Sequence, residues 1–335
     1  MIEPNKPLDP NEIQQIIVDI TDLVASWQNP HDGGWSIPQP PPDAYYTSNV
    51  WTTAQITHWL LHHNAERYQE RIRRGLYFLA QTQRIEDNGY RNEASDGGWG
   101  WYKDRVSEST GTATAMLAFV EYAKRFQTSE PFTKNMRWGR DWLIYHGNPD
   151  GGFSLLANRP SAAFNTCWSC IALSECVLIP GLEDYLVNAA VLPIAVAFVE
   201  SKATTTGWGY AIEQASDAIG TAYCTYLLLY MGRTATATIG LKALRNSQLD
   251  DGSWEPAPTL PNLEATTWAT TALLKGKISP KAAWVESAMR YILDHYIPGL
   301  GWPERSNGRV QLWTTYFAYM TLAAYMEAIR SQSSL

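Results

Sequence analysis

A helix-forming run that closes on Gln, an acidic turn and then Gly-x-Trp recurs along this chain, and the recurrence limits its folds to arrays of like units. In Leu241 to Pro256, LKALRNSQLDDGSWEP, the run ends at Gln248 and the turn delivers Gly252-Ser253-Trp254. Arg74 to Gln81 reads RGLYFLAQ and is closed by Asp96-Gly97-Gly98-Trp99, and Arg140 to Tyr145 leads into Asn148-Pro149-Asp150-Gly151-Gly152-Phe153. Looser copies end at Trp35, Trp208 and Trp302, so the closing aromatics stand at 35, 99, 153, 208, 254 and 302. A period of about 50 residues marks stacked supersecondary units, and it outranks any local reading.

Each unit holds two predicted helices. The first members are Asn11–Trp27, Tyr68–Gln81, Asn135–His146, Glu183–Ser201, Thr236–Gln248 and Pro280–Tyr296. The second members are a helix capped by Thr47 or Ser48 and running through Leu60, then Thr110–Lys124, Ser161–Leu178, Asp217–Met231, Glu264–Lys275 and Gln311–Arg330. Between Trp35 and the first of these second helices the run Ile37-Pro38-Gln39-Pro40-Pro41-Pro42 must be an extended loop, because consecutive prolines exclude helix. The first helices carry the Arg, Lys and Glu. The second ones, with stretches such as TATAMLAFV, NTCWSCIAL and GTAYCTYLLL, are apolar all round, as helices surrounded by protein are. The second helices are therefore expected as an inner ring and the first as an outer ring. This predicts an all-α fold, an (α/α)6 barrel forming one domain over residues 1–335. The alternative is an open solenoid, which needs polar terminal caps that neither end repeat resembles. Glycines supply the turns, Gln is expected to reach the start of a neighbouring inner helix, and the six closing aromatics read as packing residues.

Fifteen Trp, eighteen Tyr and eight Phe against 18% charged residues leave aromatic side chains beyond what a core of this size requires. A net charge of −7 excludes the basic stripe that a nucleic-acid partner demands. The N-terminus lacks a charged segment followed by an apolar one, so no signal peptide is expected. No uninterrupted apolar stretch reaches the roughly 18 to 20 residues of a membrane span. The nearest, Val187 to Val199, is expected as a buried helix, with a membrane-touching patch as the alternative. Four cysteines, three of them at 167, 170 and 176, make no disulfide framework, which points to the cytoplasm, with peripheral membrane association left open.

The Gln-to-Gly-x-Trp turns of Arg74–Trp99 and Leu241–Trp254 resemble the repeat signature of the terpene cyclase and prenyltransferase superfamily. More narrowly the chain is similar to the class II terpene cyclases, which include squalene–hopene cyclase, and its length matches the single-barrel meroterpenoid cyclases. The resemblance implies cyclisation of a polyprenyl chain, such as a geranylgeranylated aromatic acid, without a cofactor. Mg2+ would enter only with a diphosphate substrate. It also implies a small-molecule partner and no obligate protein partner. The family acid comes from an Asp-x-Asp-Asp-Thr-Ala segment at the start of an inner helix. The segment here is Ser107-Glu108-Ser109-Thr110-Gly111-Thr112-Ala113, with Ser109 where the acid is expected. Either this chain is an acid-deleted form at position 109, or Glu108 supplies the proton.

Protonating an alkene needs a neutral carboxylic acid in a dry site; a serine hydroxyl cannot do it. Besides Glu108, the candidates are Asp104, Asp217 in the echoing segment Ser216-Asp217-Ala218-Ile219-Gly220-Thr221-Ala222, and Glu264. Each is also read as a helix cap or a solvated carboxylate. Aromatic faces can shield the resulting cation. The candidates at inner-helix starts are Tyr46 (with Tyr45), Trp51, Trp101, Phe164, Trp168, Tyr210, Trp268, Trp313 and Tyr316. Two other readings stay open. One is a non-catalytic barrel that binds a prenyl or lipid ligand or a protein. The other is a zinc prenyltransferase-like subunit using Cys167 and Cys170, although no histidine falls at an inner-helix start.

Overall fold

The computed structural model describes residues 7–36, 47–85, 97–103, 105–156, 159–211, 214–255, 262–304 and 308–333. Twelve α-helices form among them: α1 (Pro10–Ser26), α2 (Val50–Asn64), α3 (Gln69–Thr82), α4 (Ser109–Phe126), α5 (Thr133–His146), α6 (Ala163–Cys176), α7 (Leu192–Ser201), α8 (Ala218–Tyr230), α9 (Thr234–Ser247), α10 (Asn262–Lys275), α11 (Ala283–Asp294) and α12 (Leu312–Ser333). The chain is all-α; extended backbone among the described residues is limited to isolated bridges such as Trp35 with Asn49 and Trp99 with Glu108. The proline run at 37–42, Tyr45, Tyr46 and Asp104 lie outside the described residues.

The helices group into two units. Among the described residues, the first takes those within 25–36 and 47–201, and the second those within 7–24 and 202–333. In the first, α2, α4 and α6 pack side by side in that order, with α3 against α2, α5 against α4, and α7 against α6. In the second, α8, α10 and α12 pack side by side, with α9 against α8 and α11 against α10. Within each unit the second helix of one repeat is thus a neighbour of the second helix of the next, as the apolar pattern requires. Every residue from Ser109 to Val120 in α4 is buried, whereas α9 buries only Ala237, Gly240 and Leu244.

The six closing aromatics pack the repeats, each 1% exposed or less. A regularity that the sequence reading missed holds them in place. The backbone N–H of each donates to a threonine hydroxyl on the following helix: Trp35 to Thr53, Trp99 to Thr112, Phe153 to Thr166, Trp208 to Thr221, Trp254 to Thr266 and Trp302 to Thr315, at 2.9 to 3.1 Å. Three of the indole N–H groups donate to a carbonyl of the helix before the turn, at Leu79, Leu244 and Ile292. The threonines can come this close only because the turn is bare. Gly207 has φ +100°, and a Cβ there would stand 2.2 Å from the Thr221 hydroxyl.

Four expectations need correction. Asn49, not Thr47 or Ser48, caps α2, its Oδ1 accepting from the Thr52 amide at 2.7 Å. In the second repeat the structural glutamine is the buried Gln83, two residues beyond the exposed Gln81. The glutamines also reach outer helices rather than inner ones. Besides a carbonyl of its own turn, Gln28 Nε2 donates to Arg71 O, Gln83 Nε2 to Asn135 O and Gln248 Nε2 to Trp284 O, all in first-type helices of the next repeat. Those N-terminal carbonyls lie beside the turn, while the inner-helix starts are already engaged by the Trp–Thr bonds. Finally, the stretch around 187–199 is not a buried helix. A π-turn at Val187–Val191 runs into α7, with Pro193 where the hydrogen-bond register changes. One face is buried through Leu192, Val196 and Val199, while Tyr185, Leu186 and Ile194 are exposed. α7 is an outer helix whose solvent face is apolar. No helix among the described residues is long and apolar enough to cross a membrane.

Candidate functional site

Chemistry concentrates at the starts of the second helices, because the turn and the Trp–Thr bond bring two chain segments together there. In the first unit the extended stretch after Gly98 pairs with residue 108: Glu108 N donates to Trp99 O at 2.9 Å. Two residues on, Trp101 O accepts from Val50 N at 3.0 Å, and the rings of Trp101 and Trp51 lie 4.8 Å apart. Phe164 meets Trp51 edge-on at 6.4 Å, and Trp168 meets Phe164 in the same way at 6.3 Å. Four of the aromatic residues expected at a cavity wall therefore form one connected strip over α2, the 97–103 segment and α6.

Glu108 stands at the N-cap of α4 with extended backbone, φ −134° and ψ 156°, but its side chain makes no capping hydrogen bond. It is 6% exposed, and its Oε1 is buried with no hydrogen-bond partner among the described residues. Burial raises its pKa to about 7, opposed only by the Gly111 amide. A good fraction of this carboxyl is therefore the neutral acid near pH 7. Ser109, the next residue, is 1% exposed. Asn165 Nδ2 donates both hydrogens, to Ser109 Oγ at 3.0 Å and to Thr110 Oγ1 at 2.7 Å, and Ser109 N donates to Leu155 O. Position 109 is inside the site, and its hydroxyl has no strong acidity to offer.

The second unit carries the other candidates. Asp217 caps α8: Oδ1 accepts from Gly220 N at 2.7 Å and Oδ2 from Tyr210 N at 2.6 Å. Burial raises its pKa, and those backbone amides pull it back. Glu264, in the first turn of α10, is buried and accepts from the Tyr223 hydroxyl at 2.7 Å. Burial raises its pKa to about 7 against the Tyr223 bond. Tyr223 leans on Trp268 at 4.5 Å, Trp268 on Phe317 at 5.5 Å, and Phe317 on Trp313 at 5.9 Å and Tyr316 at 5.7 Å. Tyr210 is half-buried; burial first, and then the charges of Glu264 and Asp217, push its hydroxyl pKa well up. Tyr223 and Phe317 were missed by the sequence reading. Their signal was Phe317 four residues after Trp313 on one helix face, and a tyrosine two residues after Thr221.

Among the described residues no three His, Cys, Asp or Glu side chains stand together as a metal site. Cys170 is buried, and burial alone pushes its thiol up to about 12.

No protein family and no curated protein matches the sequence. Solved structures do. The chain is similar to the type II terpene cyclase MstE from Scytonema without ligand, at 15% identity and TM-score 0.67, covering 96% of this chain and 99% of that one. An Asp-to-Asn variant of MstE in complex with geranylgeranyl dihydroxybenzoate matches at 14% identity and TM-score 0.65, covering 96% and 98%. A D-mannose isomerase matches at 12% identity and TM-score 0.70, covering 98% and 100%. The chain thus has the all-helical fold, of the helical-barrel kind, that these enzymes share. Two unrelated chemistries on one fold also mean that function must be argued from the site.

Proposed function

We propose that this chain is a class II cyclase, which protonates the terminal alkene of a polyprenyl chain and lets successive double bonds close the rings, and that Glu108 is its acid. One observation carries the reading: a carboxyl at an inner-helix start is buried, holds its proton to about pH 7 and has an oxygen with no hydrogen-bond partner among the described residues. In the first step the Glu108 proton goes to the terminal alkene carbon. The π pair forms the C–H bond, leaving a tertiary cation and a carboxylate. The faces of Trp51, Trp101, Phe164 and Trp168 stabilise cations along the chain, each by roughly 0.5 to 2 kcal/mol. Loss of a proton from the last cation ends the cascade. The substrate class, a geranylgeranylated aromatic acid giving a polycyclic meroterpenoid, is favoured by the compound bound to the MstE variant of the same fold. This reading takes residues 1–335 as one (α/α)6 barrel of six hairpins needing no cofactor, placed in the cytoplasm, with the apolar face of α7 available for peripheral membrane contact.

Ser109 favours a second reading, in which the chain is an acid-deleted form or a barrel that only binds such lipids. One experiment separates them. The protein, Glu108→Gln and Ser109→Asp are each incubated with geranylgeranyl dihydroxybenzoate, and isomeric cyclic product is sought by mass spectrometry. Product from the unaltered protein that vanishes in Glu108→Gln supports the assignment. Product only from Ser109→Asp moves the acid to position 109. Binding without product from any of the three leaves a binding barrel.

A further inference from the structure

Gln55 is a side chain that the fold of the first unit leaves unanswered. It lies in the middle of α2, is 1% exposed, and neither its Nε2 nor its Oε1 has a hydrogen-bond partner among the described residues. A buried amide with both ends unmatched costs folding free energy that Leu or Met at the same place would not. No local duty explains it, since the cap of α2 is made by Asn49. Its position is informative. Gln55 follows Trp51 by four residues and Thr52 by three, so the three share one stripe of the helix. Trp51 belongs to the aromatic strip with Trp101 and Phe164. The Thr52 hydroxyl is likewise buried and unmatched. On α6, Ser169 directly follows Trp168 of the strip, is fully buried, and its hydroxyl has no partner among the described residues. Next to the rings that suit a hydrocarbon, two helices thus each hold an uncharged polar group in reserve.

We propose that Gln55, assisted by Thr52, is the recognition site for a hydroxyl group on a prenyl-type lipid whose hydrocarbon lies along Trp51, Trp101 and Phe164. An amide fits a hydroxyl on both sides, because Nε2 donates to its oxygen while Oε1 accepts its proton. It supplies no charge, so a neutral group is preferred to a carboxylate or a diphosphate. The choice of hydrocarbon rests on the cyclase reading; the polar preference does not.

The test uses the full chain and two probes, geranylgeraniol and its methyl ether, which keeps the oxygen but loses the donor. Binding is followed by quenching of tryptophan fluorescence and by the shift in Tm. The unaltered protein should bind the alcohol about ten-fold tighter than the ether. Gln55→Leu should bind both alike while raising the Tm of the free protein by about 2 °C or more, since it removes an unmatched buried amide. Gln55→Met serves in its place if Leu does not fold. Equal binding of alcohol and ether by the unaltered protein, no binding of either, or a preference that survives in the variant would overturn the proposal. Cyclic product from geranylgeranyl dihydroxybenzoate is assayed in parallel. Preference without product sinks the cyclase reading alone, and product without preference sinks this one alone.

Discussion

Two helix starts in this chain were built from nearly the same words and came out differently. Ser107-Glu108-Ser109-Thr110-Gly111-Thr112 opens α4 and Ser216-Asp217-Ala218-Ile219-Gly220-Thr221 opens α8. In both, the amide of the acidic residue donates to the carbonyl of the closing Trp, and the Trp amide donates to the Thr four residues after the acid. In α8 the aspartate is short enough to turn back onto the helix, and its two oxygens are satisfied by the Gly220 and Tyr210 amides. In α4 the glutamate is one methylene longer. It overshoots the cap, and one oxygen is left buried and unmatched. The same repeat position yields a carboxylate held by two backbone amides in one case and one with a buried, unmatched oxygen among the described residues in the other.

The largest contrast should come from the glycines. A Cβ at Gly220 would lie 2.2 Å from the carbonyl carbon of Gly209, a clash with backbone, whereas at Gly111 the nearest atom is Trp99 O at 3.0 Å. Gly220→Ala should cost about 3 kcal/mol or more. Gly111→Ala should cost less than about 1 kcal/mol, because alanine's helix preference offsets the crowding. Thermal unfolding of the pair checks this, and equal losses would mean that the two starts are packed alike and the contrast is wrong.

Next comes pH. The folded-state pKa of Glu108 lies above its ordinary value, at about 7 against 4.5. The folded protein therefore holds a proton that the unfolded chain has released between these values, and stability falls as pH rises through that window. The loss for this group is about 3 kcal/mol. Glu108→Gln should match the unaltered protein at pH 4 and exceed it by that order at pH 8 in denaturant titrations, while Glu264→Gln removes a similar slope arising in the other unit. If Glu108 is the acid, cyclisation should also fade above about pH 7.

A smaller effect should separate the caps. Asp217→Ala removes two hydrogen bonds to backbone amides and should cost about 1 to 2 kcal/mol at neutral pH. The smallest effect tests what the two starts share. Thr112→Val and Thr221→Val each leave a buried Trp amide unmatched and should each cost about 1 to 3 kcal/mol, equal within error, by chemical denaturation. A clear inequality there would show that the turn bond has different weight in the two units.

The sequence by itself determined the array. A helix apolar on every side has to be wrapped in protein, and a closing aromatic about every 50 residues has to pack between repeats, so the all-α class, the twelve helices and the burial of Trp35, Trp99, Phe153, Trp208, Trp254 and Trp302 were legible. Ser107 to Ala113 was legible as the segment to examine, from its place after the Trp99 turn. Tertiary structure alone decided what each polar side chain does there. Whether a carboxyl caps, as Asp217 does, or stays unmatched, as Glu108 does, depends on the distance to amides that arrive from elsewhere in the chain. The partner of Asn165 lies 55 and 56 residues away in sequence, and that of Gln83 lies 52 away. Nothing in the sequence marks Gln55, whose amide finds no partner at either end among the described residues. Period and hydrophobicity are properties of a segment and can be read along the chain. Hydrogen-bond satisfaction and pKa are properties of a neighbourhood, and only folding assembles it.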